Sequence, residues 1–294
     1  MTYQLILGDR AYSSWSLRGW LLFENFGLSA TQRFVDFNGA GKSKPQTVGE
    51  QLADLAPART VPTLVTPDGA LIWDSLAIAE ELATRHPDAG HWPADPKARA
   101  TARSLAAEMH CGYAALRNDC PMNLRASYTG YLPADAVRAD VDRIDTVWQY
   151  ALDLSGGPWL CGDYSAADAF FAPVAGRIAG YGLAMSESAL AYVERHLADP
   201  AFRRWRAMGL VRGADLPWYG RDFARRPWPG PAPLSAKAVD TGPSENTACP
   251  YSGDPVSHFM ELDDRIFGFC NAFCRDNTVP DPGAWPKFMT VYHS

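Results

Sequence analysis

The sequence predicts an α/β domain, an all-helical domain and a small cysteine module, in that order, and three observations support this prediction. Residues 3–84 alternate between short apolar runs, which are typical of strands, and segments with helical spacing. From residue 96 to about residue 209 the strand signals vanish and helical periodicity dominates. Three of the six cysteines then lie between residues 249 and 274. We therefore expect an α/β sandwich first, a helical domain after it and a separate unit around these cysteines.

Local patterns place the elements of the first domain. Short apolar runs form its strands, and its helices begin at polar residues and end at glycine or before proline. A Pro-Asp-Gly turn joins two of the strands into a hairpin. The predicted elements are, in chain order, a strand at Tyr3–Leu7, a helix at Ser16–Phe26, a strand at Arg33–Phe37, hairpin strands at 63–66 and 71–73, and a helix from Asp74 to about His86.

The changes of pattern along the chain set the expected domain boundaries. They give an α/β domain over residues 1–86, a helical domain over 92–222, a linker rich in proline and glycine over 223–248, and the cysteine module over 249–294. Within the helical domain, Ser165 and Asp168 have the spacing of a capping box, in which each side chain bonds the backbone N–H of the other residue. We expect this pair to order the start of a helix.

Composition and charge exclude several classes of function. The chain is 47% hydrophobic and 12% aromatic, so it can form substantial cores. Its net charge of -6, without a block of basic residues, makes nucleic acid a poor partner. No apolar run is long enough to span a bilayer, and the opening residues lack the features of a signal peptide. We therefore expect a cytoplasmic protein without a membrane partner, in which thiols are more often buried, catalytic or metal-bound than paired.

The loop AYSSWSLRGW after the first strand brings three hydroxyl groups, those of Tyr12, Ser13 and Ser14, to the start of a helix. The amino end of a helix stabilises an anion, so these groups are candidates for an anionic ligand. A second interpretation, in which Ser13 or Ser14 only caps the helix, fits this segment equally well.

In its context this loop resembles the cytosolic glutathione transferases, over about residues 3–215. The context is VPTL before the hairpin, DS at the start of the next helix and SAAD in the helical domain. SSWSLR is most similar to the serine-type classes and nearest the zeta class, although Trp15 stands where the zeta motif has cysteine. The resemblance implies a thioredoxin-like first domain, glutathione as co-substrate, a small electrophilic second substrate and a homodimer.

The resemblance implies one function and leaves two alternatives. The first is a glutathione transferase of the detoxification type, which activates the glutathione thiolate for attack on an electrophilic carbon. One alternative is a glutathione-dependent isomerase of the zeta type, the maleylacetoacetate isomerase type. The other is a non-catalytic protein that binds or senses glutathione and metal.

The resemblance also assigns roles to individual residues. Ser13 is expected to donate a hydrogen bond to the thiolate, with Ser14 and Tyr12 as alternatives, and with the helix end this would lower a thiol pKa of about 8.5 by roughly one to two units. The expected glutathione-binding residues are Lys42, Lys44, Val61, Pro62 in a cis peptide, Asp74 and Ser75. The expected second-substrate residues are Trp15, His110, Tyr113 and Arg117, the last three on one face of a single predicted helix.

The cysteines of the module have the spacing C-x20-C-x3-C, at Cys249, Cys270 and Cys274. This spacing invites a soft metal such as zinc or copper, because the last two thiols lie one helical turn apart. The module resembles the YHS and TRASH metal-binding modules, with Ser252 where a fourth thiol usually stands. His258, Asp254, water or a partner's residue could then supply the fourth ligand. The alternative is that the three cysteines are buried apolar residues of a small core.

Overall fold

The structure is a computed structural model that describes residues 2–38 and 46–294. The chain divides into two compact units, each formed from two separate segments. The first unit runs to His196 and also contains Ala214–Pro229, and the second comprises Leu197–Gly213 and Gly230–Ser294. The chain therefore leaves the first unit, returns to it for one short segment and leaves it again.

A four-stranded sheet with helices forms the first part of the first unit. Its elements are β1 (Tyr3–Leu7), α1 (Ser14–Glu24), β2 (Ala30–Phe34), α2 (Val48–Gln51), β3 (Thr63–Val65), β4 (Leu71–Trp73) and α3 (Ser75–Arg85). The strand order is β2-β1-β3-β4, with β1 and β2 parallel and the other neighbours antiparallel. Leu5, Leu17 and Leu64 are fully buried, because the apolar strand residues and the apolar face of α1 pack together.

Helices form the rest of the first unit. The elements that follow α3 are α4 (Pro96–Cys111), α5 (Ala114–Asp119), β5 (Ser127–Thr129), α6 (Asp135–Ser155), α7 (Ala166–Tyr181), α8 (Glu187–Ala198) and, after the return of the chain, β6 (Ala224–Arg226). Every residue of α7 is buried, and this helix packs against both α1 and α4. The predicted capping box is confirmed, since Ser165 N–H donates to Asp168 Oδ2 at 2.8 Å and the Ser165 side chain meets the backbone of Asp168.

The second unit combines one long helix with a small sheet. Its complete helices and strands are α9 (Pro200–Val211), β7 (Ala236–Val239), β8 (His258–Leu262), β9 (Arg265–Phe269), α10 (Ala272–Thr278) and α11 (Pro286–Tyr292). The sheet is antiparallel in the order β7-β8-β9. Met260, Phe267, Phe269 and Phe288 are fully buried and form its core, and α9 packs against α10.

Three differences between the structure and the sequence-based expectations concern strands. The second strand lies at Ala30–Phe34 rather than Arg33–Phe37, because it is an edge strand with mostly exposed side chains and its apolar pattern does not mark it. The helical region contains the short strand β5, whose partner β6 lies far along the chain. The segment 223–248, expected to be a linker, contains β6 and β7, and β7 completes the sheet of the second unit.

Within the two described ranges, no helix combines the length and the apolar character that a membrane crossing requires.

Candidate functional site

A cavity of about 440 Å³ opens in the first unit between the sheet domain and the helices. Its walls come from the loop before α1, the loop before β3, the start of α3, and α5, α7 and the returning segment. The lining residues are Tyr12, Ser13, Ser14, Trp15, Phe37, Val48, Arg59, Thr60, Val61, Pro62, Asp74, Ser75, Arg117, Asn118, Pro121, Arg177 and Tyr219. Seven of the residues expected to hold glutathione or its thiolate therefore meet in one place.

Ser13 occupies the cap position of α1 at the cavity wall. Its hydroxyl accepts a hydrogen bond from Ser16 N–H at 3.3 Å and donates to Ser16 Oγ at 2.8 Å, and only 6% of the residue is exposed. On the next turn Gly19 has no side chain, and a Cβ there would lie 2.7 Å from Pro62 Cβ. The glycine thus lets the start of α1 approach the loop of Pro62, so both reach the cavity together.

Ser14 is held by a buried cation. Arg177 on α7 donates to Ser14 Oγ at 2.9 Å, and among the described residues the Ser14 hydroxyl has only the weak acceptor Met122 Sδ, at 3.7 Å. Burial, and the positive charge of Arg117 after it, lower the pKa of the Arg177 guanidinium to about 10, which still leaves it charged at neutral pH. The start of α1 therefore lies beside a fixed positive charge, and a thiolate there would be stabilised.

Tyr12 faces a different partner from the two serines. Its hydroxyl donates to Asp215 Oδ1 at 3.3 Å and accepts from Leu216 N–H at 3.4 Å, and its ring lies against Tyr219. Burial raises the pKa of the Tyr12 phenol. These contacts tie the loop before α1 to the returning segment of the first unit, so they describe an anchoring role for Tyr12 better than a role at sulfur.

The residues expected to hold glutathione have mixed placements. Ser75 opens α3, is fully buried and has a hydroxyl without a hydrogen-bond partner in the described chain, while Asp74 caps that helix through Leu76 N–H at 2.8 Å. Val61 and Pro62 line the cavity, and the peptide bond between them is cis, as the resemblance implied. Lys42 and Lys44 lie outside the described residues.

The expected second-substrate residues divide into two pairs. Trp15 and Arg117 line the cavity, with the Arg117 guanidinium 4.3 Å from the centroid of the Trp15 ring. His110 instead meets Asp74 Oδ2 at 3.2 Å, and Tyr113 donates to Glu108 at 2.8 Å; neither lines the cavity. The prediction of one helical face is wrong, because α4 ends at Cys111 and Tyr113 takes a left-handed conformation with φ of 59° before α5 begins.

Eight of the lining residues were not expected from the sequence, and three of them, Arg59, Arg177 and Tyr219, carry ionisable side chains. Arg59 immediately precedes the Thr-Val-Pro motif, Arg177 lies deep in α7, and Tyr219 belongs to the returning segment. For Arg177 a signal existed, since an arginine inside an otherwise apolar helix must find polar partners when it is buried. Its partners are the Pro173 carbonyl oxygen, one helical turn earlier, the Cys120 carbonyl oxygen and Ser14, and the last two are remote from it in the sequence.

The second unit brings the three predicted cysteines together. The sulfur atoms of Cys249, Cys270 and Cys274 all lie within 4.8 Å of one another, and the Cys270 and Cys274 sulfurs are 3.8 Å apart. Two thiolates on a tetrahedral zinc at the usual bond length would be separated by about 3.8 Å, so the spacing fits a metal of this size. His258 and Asp254 are not part of this group, and His258 Nδ1 faces Ser257 Oγ at 3.0 Å.

Hydrogen-bond donors surround these sulfur atoms. The Cys270 sulfur accepts from Asn271 Nδ2 at 3.2 Å and from Ser252 Oγ at 3.4 Å. Burial opposes ionisation of the Cys249 thiol, but hydrogen bonds led by the Cys270 backbone N–H outweigh it and lower the pKa of that thiol to about 7. Burial, then the negative charge of Cys249, raises the pKa of the Cys274 thiol to about 12. The donor set of three thiols fits a soft cation, although Phe269 and Met260 also make Cys249 part of an apolar core.

A comparison with known protein families matches part of the first unit. Residues 12–85 match the family model of the glutathione S-transferase N-terminal domain. A stretch of 110 residues is 36% identical to a probable maleylacetoacetate isomerase of Caenorhabditis elegans. This stretch covers 37% of this chain and 47% of that relative. The chain thus spans about half the length of this curated relative.

Solved structures show the same fold over most of the chain. A glutathione transferase homolog from Burkholderia gl BGR1, with bound glutathione, has a TM-score of 0.54 at 23% identity. The match covers 71% of this chain and 98% of the chain of that structure. A tau class glutathione S-transferase from mango, Mangifera indica, has a TM-score of 0.53 at 18% identity, and the match covers 70% of this chain and 92% of the chain of that structure. The predicted fold class, a thioredoxin-like domain followed by a helical domain, is confirmed.

Proposed function

We propose that the first unit binds glutathione in its cavity and activates the thiol for attack on an electrophilic small molecule, as a glutathione transferase. One observation carries the proposal. The serines at the start of α1 and the buried, unpartnered hydroxyl of Ser75 at the start of α3 line one cavity together with Val61 and Pro62. Two helix starts that carry serine hydroxyl groups are suited to a ligand that has an anionic sulfur and a carboxylate.

In this proposal each residue has a role in binding or in ionisation. Ser75 holds the γ-glutamyl carboxylate, Asp74 attracts the neighbouring amino group, and Val61 pairs with the cysteinyl backbone. Ser13 donates a hydrogen bond to sulfur, and Arg177 orients Ser14 beside it with its positive charge. In the reaction the thiol proton passes to solvent, the thiolate forms a carbon–sulfur bond, and the leaving group departs with its electron pair.

An isomerase is the second candidate, and the similarity to a probable maleylacetoacetate isomerase favours it. There the thiolate would add to a conjugated double bond, the resulting single bond would rotate, and the thiolate would leave again, so glutathione is not consumed. Trp15, which replaces the cysteine of the zeta motif, is the feature that argues against it.

The full-length protein should be incubated with glutathione and either a generic aryl halide or maleylacetoacetate. Loss of free thiol with the halide supports the transferase, and isomerisation without loss of thiol supports the isomerase.

The non-catalytic alternative predicts a different result in the same experiment, because glutathione would bind without any turnover.

Following the family resemblance, we also propose that the protein is a cytoplasmic homodimer. Sedimentation of the purified protein checks the oligomeric state, and a single species with the mass of one chain would contradict it.

We propose that the second unit holds a soft metal ion, zinc or copper, on Cys249, Cys270 and Cys274. The grouped sulfur atoms and their hydrogen-bond donors support this proposal. Metal content of the full-length protein, measured after removal of loosely bound ions, should be close to one per chain and should vanish when all three cysteines become serine. The exposed Cys111 offers the matched control, since Cys111→Ser should leave the metal content unchanged. A metal-free wild-type protein with three reactive thiols would identify the cysteines as core residues.

A further inference from the structure

The wall of the cavity formed by α1, α5 and α7 holds more positive charge than its neighbours balance. Arg18, Arg117 and Arg177 lie close enough for their charges to act on one another. Burial is the main cause that lowers the pKa of Arg18, and the charges of the other two arginines lower it further, to about 9. The negative charge of Asp74 raises this pKa. Like charges are costly to bury together, so an anion bound here would be favourable.

The three arginines differ in how many hydrogen-bond donors they have left. Arg177 already donates to two carbonyl oxygens and to Ser14. Arg18 is 1% exposed, donates to Phe170 O and has a buried Nη1 without a partner among the described residues, but it is not one of the residues that line the cavity. Arg117 lines the cavity, and among the described residues its side chain has neither a hydrogen-bond partner nor an ion pair. Arg117 is therefore the arginine of this cluster that lines the cavity and whose side-chain donors have no partner among the described residues.

The Arg117 side chain lies against Trp15. The guanidinium lies over the indole ring at 4.3 Å, and the Arg18 guanidinium lies 5.2 Å from the centroid of the same ring. Stacking of this kind orients the planar fork of donors and is favourable for the cation. A fork held in this way matches the two oxygen atoms of a carboxylate.

Glutathione in the proposed position leaves this group unused. Its γ-glutamyl carboxylate is assigned to Ser75, and its glycine carboxylate has a separate cation available in Arg59, which lines the cavity beside Val61 and Pro62. The thiolate lies at the start of α1, where Arg177 acts through Ser14. Arg117 is thus available to the second substrate.

We infer that the second substrate carries an anionic group, a carboxylate, and that Arg117 binds it while Trp15 positions Arg117. This inference rests on the proposed function, because it names the class of electrophile that the same site accepts. It predicts a preference for acidic electrophiles over neutral ones of the same shape.

A matched pair of electrophiles tests the inference on the full-length protein. The pair is a chloronitrobenzoate and its methyl ester, in which the thiolate forms a bond to the ring carbon and chloride leaves with its electron pair. Arg117→Leu should lower kcat/KM for the benzoate by about tenfold or more, the usual worth of a hydrogen bond to a charged group, and that for the ester by less than about threefold. Arg117→Lys should retain part of the preference, and Arg138→Leu, which removes one charge from the exposed face of α6, should change neither value.

Binding of an unreactive ligand separates this inference from the proposed function. Nitrobenzoate without the chlorine should bind the protein more tightly than its methyl ester, and Arg117→Leu should remove the difference, whether or not glutathione is turned over. Equal loss for both electrophiles, or equal binding of the acid and the ester by the wild type, would overturn the assignment of Arg117. Failure of the wild type to bind glutathione, with the preference for the acid intact, would contradict the proposed function and leave the anion site standing.

Discussion

Removing the Ser13 hydroxyl should raise the pKa of the bound glutathione thiol by about one to two units, because a hydrogen bond to a charged group contributes about 1.5–3 kcal/mol and one unit corresponds to about 1.4 kcal/mol. Ser13 is well placed for this, since it is 6% exposed and lies at the cavity wall. Turnover near neutral pH should fall about tenfold or more, whereas glutathione affinity should stay within a few-fold.

Ser13 also caps α1, so a loss of activity in Ser13→Ala could arise from the helix instead. Alanine at a cap position costs about 1 kcal/mol of stability, but glycine costs only a few tenths. Ser13→Gly therefore serves as the matched variant, and it should raise the thiol pKa as much as Ser13→Ala while leaving the unfolding free energy nearly unchanged.

The assay is the ultraviolet absorbance of the bound thiolate, followed as a function of pH. Tyr12→Phe should leave the titration in place, because the Tyr12 hydroxyl is engaged with Asp215 and Leu216. An unchanged thiol pKa in both Ser13 variants, together with a raised pKa in Ser14→Ala, would show that Ser14 is the donor and refute the reasoning about Ser13.

Three further predictions concern binding and stability. Ser75→Ala should raise the KM for glutathione by about tenfold or more with little change in kcat, since the carboxylate is held equally in ground and transition states, and an unchanged KM would remove Ser75 from the site. Burial lowers the pKa of His196 to about 3, so below its ordinary pKa of about 6.5 the unfolded chain takes up a proton that the folded chain does not. The unfolding free energy of the wild type should therefore fall, relative to that of His196→Gln, by about 1.4 kcal/mol per pH unit as the pH drops from about 6 to 4, and parallel curves would contradict this. Asp281 accepts two hydrogen bonds from Arg203, at 2.6 and 2.9 Å, and its side chain is 8% exposed. Asp281→Asn breaks this pair and should lower the unfolding free energy of the second unit by about 3 kcal/mol. Glu261→Gln, in the exposed pair with Lys237, should lower it by less than about 1 kcal/mol.

Much of the first unit could be predicted because its signals are local. The strand at Tyr3–Leu7 and the capping box of Ser165 and Asp168 depend on residues that are close in sequence, and the structure has both. The hairpin also follows from a turn motif between two apolar runs, and it differs from the prediction by a single residue.

The parts that could not be predicted depend on long-range contacts. Arg177 reaches Ser14 from the interior of α7, and Tyr219 reaches the cavity on a segment that returns from the second unit, so neither spacing nor composition marks them as site residues. The interruption at Tyr113 was missed for a different reason: helical spacing continues through it, but α4 ends at Cys111, Gly112 is extended and Tyr113 is left-handed.

The second unit contains both a feature that local spacing predicted and a feature that depends on long-range contacts. The spacing of Cys270 and Cys274 predicted their approach, because residues four apart meet on one helical turn. The contribution of α9 to the second unit was not foreseen, since that helix precedes the predicted linker and its packing against α10 joins distant parts of the chain.

Calorimetric titration of the full-length protein with glutathione and with S-methylglutathione tests the central claim most directly. Both ligands share the carboxylates and the backbone, but only glutathione has a thiol to ionise. We predict that both bind, that Ser75→Ala weakens both, and that only glutathione releases a proton on binding near neutral pH, as measured in buffers of different ionisation enthalpy. Absence of binding by both ligands would contradict the account of the cavity, and equal proton release by the two would contradict thiolate formation at the start of α1.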